Sequence, residues 1–250
     1  MLNTISHAPV ATAVFVLTLF ISHYMLDRDH LRVERGLSWL NAEIQDTWLV
    51  LRYFFGVLLY LIALFFQGLK WIMALPVVRR SLPHILEEWM LQPDRVFRQR
   101  RYYLLITHGF IHANYIHLLV DMFVFYSFAF FWERLIGSVN FALIYFGSMI
   151  LGALVSCLRK RNNPFYRSLG SSGALSGLIF SVILYFPNLP LELFFFIRMP
   201  GWLLGIIFLV GSYIAARRGF LPFIDHEGHI WGALSGILLT LILHPTISLS

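Results

Sequence analysis

The chain carries little charge for its length. Of its 250 residues only 13% are Asp, Glu, Lys or Arg, against about 25% in an ordinary soluble domain. Hydrophobic residues make up 58%, and the mean hydropathy is +0.72. This composition excludes an ordinary soluble domain. It predicts an all-α, polytopic membrane protein, because helices satisfy their own backbone hydrogen bonds in lipid.

Cysteine and acidic residues are also scarce. Cys157 is the only cysteine, so an intramolecular disulfide is excluded. The 13 acidic residues are outnumbered by 19 Lys and Arg residues, and much of this basic charge lies in loops beside apolar stretches. Membrane lipids with anionic headgroups, and not nucleic acid, are therefore the expected partners. No Lys or Arg precedes the first apolar stretch, so we expect 8–26 to be a retained span and not a signal peptide.

The sequence is instead rich in long apolar stretches, and a membrane-spanning helix needs about 20 apolar residues. Stretches without charge cover 8–26, 53–69, 135–158, 168–191, 199–216 and 228–250, and 102–132 has Asp121 as its only charge. Segment 48–69 either spans or lies in the interface, so six and seven spans both remain open. We predict an N-terminal transmembrane helix in 1–30, an insertion with an extra hydrophobic segment in 31–101 and a core in 102–250.

Two polar residues open predicted apolar helices. Ser172 lies between glycines in SLGSSGALSG, and His229 lies in GHIWGALSG about sixty residues later. A hydroxyl beside an imidazole is the arrangement that activates a serine nucleophile. The pairs Gly173/Gly177 and Gly232/Gly236 have the spacing that lets membrane helices approach closely. They would bring Ser172 and His229 together.

A cluster of ionisable residues opens another span. His108, His112, His117 and Asp121 lie at four- or five-residue intervals, and such groups at membrane depth are functional candidates. His112, His117 and Asp121, with His226 and His229, offer metal ligands. That set does not match H-E-x-x-H and leaves Ser172 without a role, so no metal and no cofactor is predicted.

Three patterns then coincide in one order along the chain. The first is H-x-x-x-x-H-x-x-x-N, seen here as His112 and His117 with Asp121 in the place of the asparagine. The second is G-x-S-G, seen here as Gly170 to Gly173. The third is H-x-x-G-x-x-x-G, seen here as His229, Gly232 and Gly236. With them the chain resembles the rhomboid family of intramembrane serine proteases, from about 107 to 245 and more loosely at 8–26. The resemblance implies a six-helix transmembrane bundle.

The resemblance also implies roles for single residues. Ser172 is expected as the nucleophile and His229 as the general base, with Ser171 and Ser176 as competing nucleophiles. The Ser172 N–H, His117 and residue 121 would hold the oxyanion, and His112 would line a wet cavity together with His108 and His117. The implied function is an intramembrane serine endopeptidase that cleaves single-span transmembrane proteins, in the bacterial plasma membrane.

The sequence departs from the family pattern at two site positions. Asp121 replaces the usual asparagine; an ionised aspartate repels an oxyanion, whereas a protonated one donates a hydrogen bond. Ser176 stands where some members carry an aromatic that packs on the catalytic histidine. A pseudoprotease that binds membrane clients without cleavage is therefore the alternative, and a transporter or proton channel is a third class.

Membrane orientation is left open. The loops before Ser172 and His229 are richer in Arg and Lys than the opposite loops, which places the catalytic face in the cytoplasm by the positive-inside rule. The resemblance to bacterial rhomboids implies the reverse.

Overall fold

The computed structural model describes residues 8–26, 87–193, 197–220, 224–243 and 245–246. Segment 48–69 and most of the predicted insertion lie outside these ranges, so the choice between six and seven spans stays a prediction. The described residues up to Ser22 and from Trp89 onward form one compact unit. Of a second unit, 23–88, the structure describes only 23–26 and 87–88, which are helical.

The described chain is helical apart from one short hairpin. The elements are α1 (Pro9–Leu26), α2 (Pro93–Phe97), α3 (Leu104–Thr107), a 3₁₀ turn (His108–Phe110), α4 (Tyr115–Ile136), α5 (Ser138–Arg159), α6 (Ser172–Tyr185), β1 (Pro190–Leu193), β2 (Ile197–Pro200), α7 (Gly201–Arg218) and α8 (His226–Leu243). The expected all-α membrane fold is thus confirmed. The antiparallel β1–β2 pair, with Pro190 opposite Pro200, was not predicted from the sequence.

Among the described helices, α4, α5 and α7 are long and apolar enough to cross a membrane. Two shorter apolar helices, Pro9–Ser22 and Ser172–Tyr185, accompany them. Many large apolar side chains on α4, α7 and α8 are exposed, as expected where lipid replaces water around the bundle.

A buried carboxylate near the end of α4 holds the start of α1. Glu133, near the end of α4, accepts hydrogen bonds from the Val10 and Ala11 N–H groups at 3.0 and 2.6 Å. These N–H groups lie in the first turn of α1 and have no intrahelical partner. Phe15 of α1 packs against Phe125 and neighbouring aromatic rings of α4. Residues 9–22 therefore belong to the bundle itself.

Glycines form the contact among α5, α6 and α8. A Cβ on Gly232 would meet the backbone of Gly173, and one on Gly236 would meet the backbone of Gly177. Gly152 of α5 faces the same contact, because a Cβ there would lie 3.0 Å from the Gly232 nitrogen. Close backbone approach at these positions holds the N-terminal ends of α6 and α8 side by side.

The compact unit includes residues before the expected core boundary at 102. Leu91 and Ser168 exchange two backbone hydrogen bonds of 2.9 and 3.1 Å. Leu91 and Val96 are fully buried against Ala153 and Cys157 near the end of α5. Segment 89–101 therefore packs at the same end of the bundle as Ser172 and His229.

Candidate active site

The central feature of the site is a hydrogen bond between α6 and α8. His229 Nε2 lies 2.7 Å from Ser172 Oγ. Ser172 is the first residue of α6, and His229 lies in the first turn of α8. Because the glycines bring these helix starts together, two residues 57 positions apart meet at one end of the bundle.

Phe208 holds the His229 ring, and Asp225 holds the start of α8. The ring stacks on Phe208 of α7, with centroids 5.8 Å apart and planes 27° apart. Asp225 caps α8: its Oδ1 accepts from the Gly228 N–H at 3.0 Å, and its Oδ2 accepts from the Tyr166 hydroxyl. Burial, reinforced by the Asp225 charge, raises the pKa of Tyr166, so the phenol stays protonated and donates.

Backbone geometry shapes the loop before Ser172. Gly170 has a φ of +105°, a conformation that L side chains rarely adopt, and its N–H donates to the His108 carbonyl at 2.9 Å. A Cβ at Gly170 would lie 2.7 Å from the His117 ring. The Ser172 N–H stands at the first helical position, where no intrahelical acceptor is available. It is free to bind a developing oxyanion.

Asp121 lies at the site as a hydrogen-bond acceptor. Its Oδ2 accepts from the Ser171 N–H at 3.0 Å and from the Ser171 hydroxyl at 2.8 Å, and it lies 3.0 Å from His112 Nε2. These contacts orient the carboxylate toward Ser171, the residue before the proposed nucleophile. In both contacts with Ser171 the Asp121 carboxylate is the acceptor, whereas its contact with His112 shares one proton between the imidazole and the carboxylate.

Of the three histidines expected to line a wet cavity, two are buried side chains. His108 nevertheless borders a small pocket that Ser172 and His229 also line, whereas His112 borders neither of the two pockets found in the described residues. His112 is buried between Ser22 and Asp121, and His108 is buried with its Nδ1 donating to the Leu104 carbonyl. Burial lowers the pKa of His108, although this hydrogen bond opposes the shift. The two histidines also do not share a helical face, because the chain is extended at Ile111.

His117 lines a larger cavity. The cavity has a volume of about 410 Å³ and is open on one side. It is lined by the loop before Ser172, the end of α7 and the start of α8, with His117, Lys160, Tyr166, Asp225 and His226 on its walls. A second pocket of about 20 Å³ lies beside Ser172, Gly170 and His229. That volume suffices for one water molecule.

Comparison with known proteins identifies the family. The rhomboid domain matches residues 99–246. The chain belongs to the rhomboid family. It is 32% identical over 139 residues to RHOMBOID-like protein 6, mitochondrial, of Arabidopsis thaliana, covering 56% of this chain and 43% of that protein. It is 29% identical over 159 residues to inactive rhomboid protein 1 of Drosophila melanogaster, covering 63% of this chain and 10% of that protein.

A third similar rhomboid is mitochondrial rhomboid protein 1 of Saccharomyces cerevisiae, 28% identical over 139 residues, covering 54% of this chain and 40% of that protein. The chain thus spans less than half the length of these three relatives. It is an integral membrane protein of a family that contains intramembrane proteases and relatives named inactive. These relatives come from a plant, a fly and a yeast, so they give no support to the expected bacterial location, which stays a prediction.

Sequence reasoning missed three residues of this rhomboid site. Phe208 supplies the aromatic contact to His229, and Ser176, where some family members carry an aromatic, donates to the Ser172 carbonyl at 2.8 Å. Phe208 lies in a continuous apolar stretch, so no local signal separates it from its neighbours. Asp225 has a weak signal, because an acidic residue just before an apolar helix is a typical helix cap. No local pattern marks Tyr166.

Proposed function

We propose that this rhomboid is an intramembrane serine endopeptidase that cleaves single-span transmembrane proteins, with Ser172 as nucleophile and His229 as general base. The observation that supports this most directly is the 2.7 Å contact between Ser172 Oγ and His229 Nε2. A serine hydroxyl is a weak nucleophile unless an adjacent base takes its proton. No cofactor takes part in this chemistry.

The reaction follows from that contact. Ser172 Oγ attacks the scissile carbonyl carbon while its proton passes to His229 Nε2. The tetrahedral intermediate then collapses, the C–N bond breaks, and the leaving amine takes the proton from His229. Water hydrolyses the resulting acyl ester with His229 again as base. The 20 Å³ pocket beside Ser172 has room for this water.

The oxyanion of the intermediate needs donors already in position. The Ser172 N–H at the start of α6 is one, and His117, whose side chain is 29% exposed toward the cavity, is the second. Loss of a single oxyanion donor costs roughly 10²–10³ in kcat in related chemistry. Asp121 acts through Ser171 and is a positioning residue in this proposal.

Substitution of Ser172 tests the proposal. Ser172→Ala should lower cleavage of a model transmembrane substrate by more than about 10³-fold, and His229→Ala should lower it about as deeply, because the two residues act as one unit. Ser176→Ala is the matched control, since Ser176 donates to a helix carbonyl and should keep measurable activity. Cleavage by purified Ser172→Ala at the wild-type rate would contradict the assignment.

The pseudoprotease alternative rests on a specific observation. An acidic side chain, Asp121, stands beside the site, and two similar proteins carry the word inactive in their names. A serine-directed fluorophosphonate probe separates the two functions in detergent. Labelling of wild type that disappears in Ser172→Ala supports an active nucleophile, whereas equal absence of labelling in both proteins supports client binding without cleavage.

A further inference from the structure

Three side chains beside the proposed oxyanion site combine two imidazoles with one carboxylate. In the part of the chain that the structure describes, His112, His117 and Asp121 form a group whose ligand atoms all lie within 4.8 Å of one another. His112 Nε2 is 3.0 Å and His117 Nε2 is 3.8 Å from Asp121 Oδ2. Imidazole nitrogen and carboxylate oxygen are the donors that zinc and related divalent ions take from proteins.

The hydrogen bonds of His112 leave one ring nitrogen for such an ion. The Ser22 hydroxyl donates its proton to the Phe110 carbonyl at 2.9 Å. Since that proton is used, Ser22 Oγ accepts from His112 Nδ1 at 2.6 Å. Nε2 is therefore the nitrogen that faces Asp121. A metal-binding histidine is typically held in this way, with its other nitrogen donating to a polar group behind it.

The 3.0 Å contact between His112 Nε2 and Asp121 Oδ2 already marks a place for a cation. A nitrogen lone pair and a carboxylate oxygen repel each other at this distance, so a proton lies between them. A metal ion can replace that proton, which then leaves to solvent. Ser171 holds the carboxylate from its other side through two hydrogen bonds.

The third donor is placed to complete the group. His117 stands one helical turn before Asp121, on the same face of α4. Ligand atoms about 2.0–2.2 Å from zinc in a tetrahedral site lie within about 3.6 Å of one another. Binding of an ion would therefore draw these atoms, now spread over up to 4.8 Å, closer by about 1 Å. The His117 ring borders the 410 Å³ cavity, which gives an ion a route from solvent.

We propose that His112, His117 and Asp121 bind a divalent transition-metal ion, with Zn²⁺ as the probe, and that the bound ion inhibits the enzyme by removing His117 from the oxyanion site. The binding stands on the three side chains alone. The inhibition rests on the proposed protease function. The site depends on the carboxylate at position 121, because an asparagine amide there would be neutral and a weak metal ligand.

Binding is tested on Ser172→Ala protein, which keeps all three ligands and does not depend on proteolytic activity. Calorimetric titration with Zn²⁺ in detergent, on protein without a histidine tag, should show one ion per chain. When His117→Ala or Asp121→Asn is added to this Ser172→Ala protein, the Zn²⁺ affinity should fall by more than the roughly 10–100-fold that loss of an outer-shell partner costs. When Ser22→Ala is added instead, the Zn²⁺ affinity should fall by about 10–100-fold.

The control is His226→Ala, which removes a histidine of the same cavity outside the proposed group and should leave the affinity unchanged. Co²⁺ provides a second readout, because a four-coordinate ion gives a strong visible absorption band that His117→Ala should abolish. Absence of Zn²⁺ binding, or binding weakened by His226→Ala and not by Asp121→Asn, would overturn the proposed site.

Inhibition is measured on proteins with Ser172 intact. Zn²⁺ at concentrations that saturate the site should stop cleavage of the model substrate, and a chelator should restore it. Asp121→Asn should cleave in the presence of the same Zn²⁺ concentration. Equal inhibition of wild type and Asp121→Asn would overturn the inhibitory role, and the calorimetric result would still decide whether the ion binds.

Discussion

At the scale of single residues, the decisive position is 121. The Asp121 carboxylate accepts two hydrogen bonds from Ser171 and pairs with buried His112. This network orders the residue that precedes Ser172. It also places negative charge near the point where the oxyanion develops, and unlike neutral donors such charge opposes the transition state.

Two substitutions separate these effects. Asp121→Asn removes the charge, keeps an oxygen for Ser171 and adds an amide donor, so we expect kcat to rise. Asp121→Ala leaves the Ser171 donors without their acceptor, and hydrogen bonds to charged groups contribute about 1.5–3 kcal/mol. We therefore expect lower kcat and a lower melting temperature. Steady-state kinetics and thermal unfolding in detergent check both; lower kcat in Asp121→Asn than in Asp121→Ala would contradict this account.

At the scale of elements, the glycine contact between α6 and α8 holds the site together. Ser172 directly precedes Gly173, and His229 lies about one helical turn before Gly232; both glycines belong to this contact. A wider separation of the two helices would lengthen the 2.7 Å contact between the side chains. Stability and activity should therefore change together at these positions.

A pair of glycine substitutions tests this coupling. A Cβ at Gly232 would lie 2.7 Å from the Gly173 carbonyl carbon, so Gly232→Ala should destabilise the bundle by about 1–3 kcal/mol and lower kcat. Gly211 of α7 has open space around it, so Gly211→Ala should be neutral or stabilising by up to about 1 kcal/mol. Unfolding in detergent and substrate cleavage provide the measurements. Equal stability of the two variants would contradict the close contact.

The sequence predicts the elements better than it predicts the site's side-chain contacts. Uncharged stretches predict helices because the membrane imposes a length and excludes charge. The direction of the Asp121 carboxylate depends on Ser171, fifty residues away, and on His112 across an extended segment. Such a choice between donor and acceptor is made by tertiary contacts. The stacking of Phe208 on His229 is likewise a contact between helices that no local pattern encodes.

At the scale of the whole molecule, charge is distributed unevenly between the two ends of the bundle. In the described part of the chain, the opposite end carries Arg134 and Arg198. The catalytic end carries many more basic residues, in the segment packed near the end of α5 and in the loops beside α6 and α8: Arg95, Arg98, Arg100, Arg101, Arg159, Lys160, Arg161, Arg167, Arg217 and Arg218. Lys and Arg in short loops are retained on the cytoplasmic side of a membrane.

We therefore expect the catalytic end to face the cytoplasmic side, and single cysteines can test this. Cys157 is the only cysteine and is buried, so the native chain serves as the unlabelled control. Phe165→Cys places a thiol in the loop before α6, where the side chain is 87% exposed, and Glu192→Cys places one on the hairpin at the opposite end. A membrane-impermeant maleimide added to intact cells should label Glu192→Cys and not Phe165→Cys, and both should react after the membrane is opened. The reverse pattern would mean that the charge in these loops does not determine orientation, and that the site faces outward.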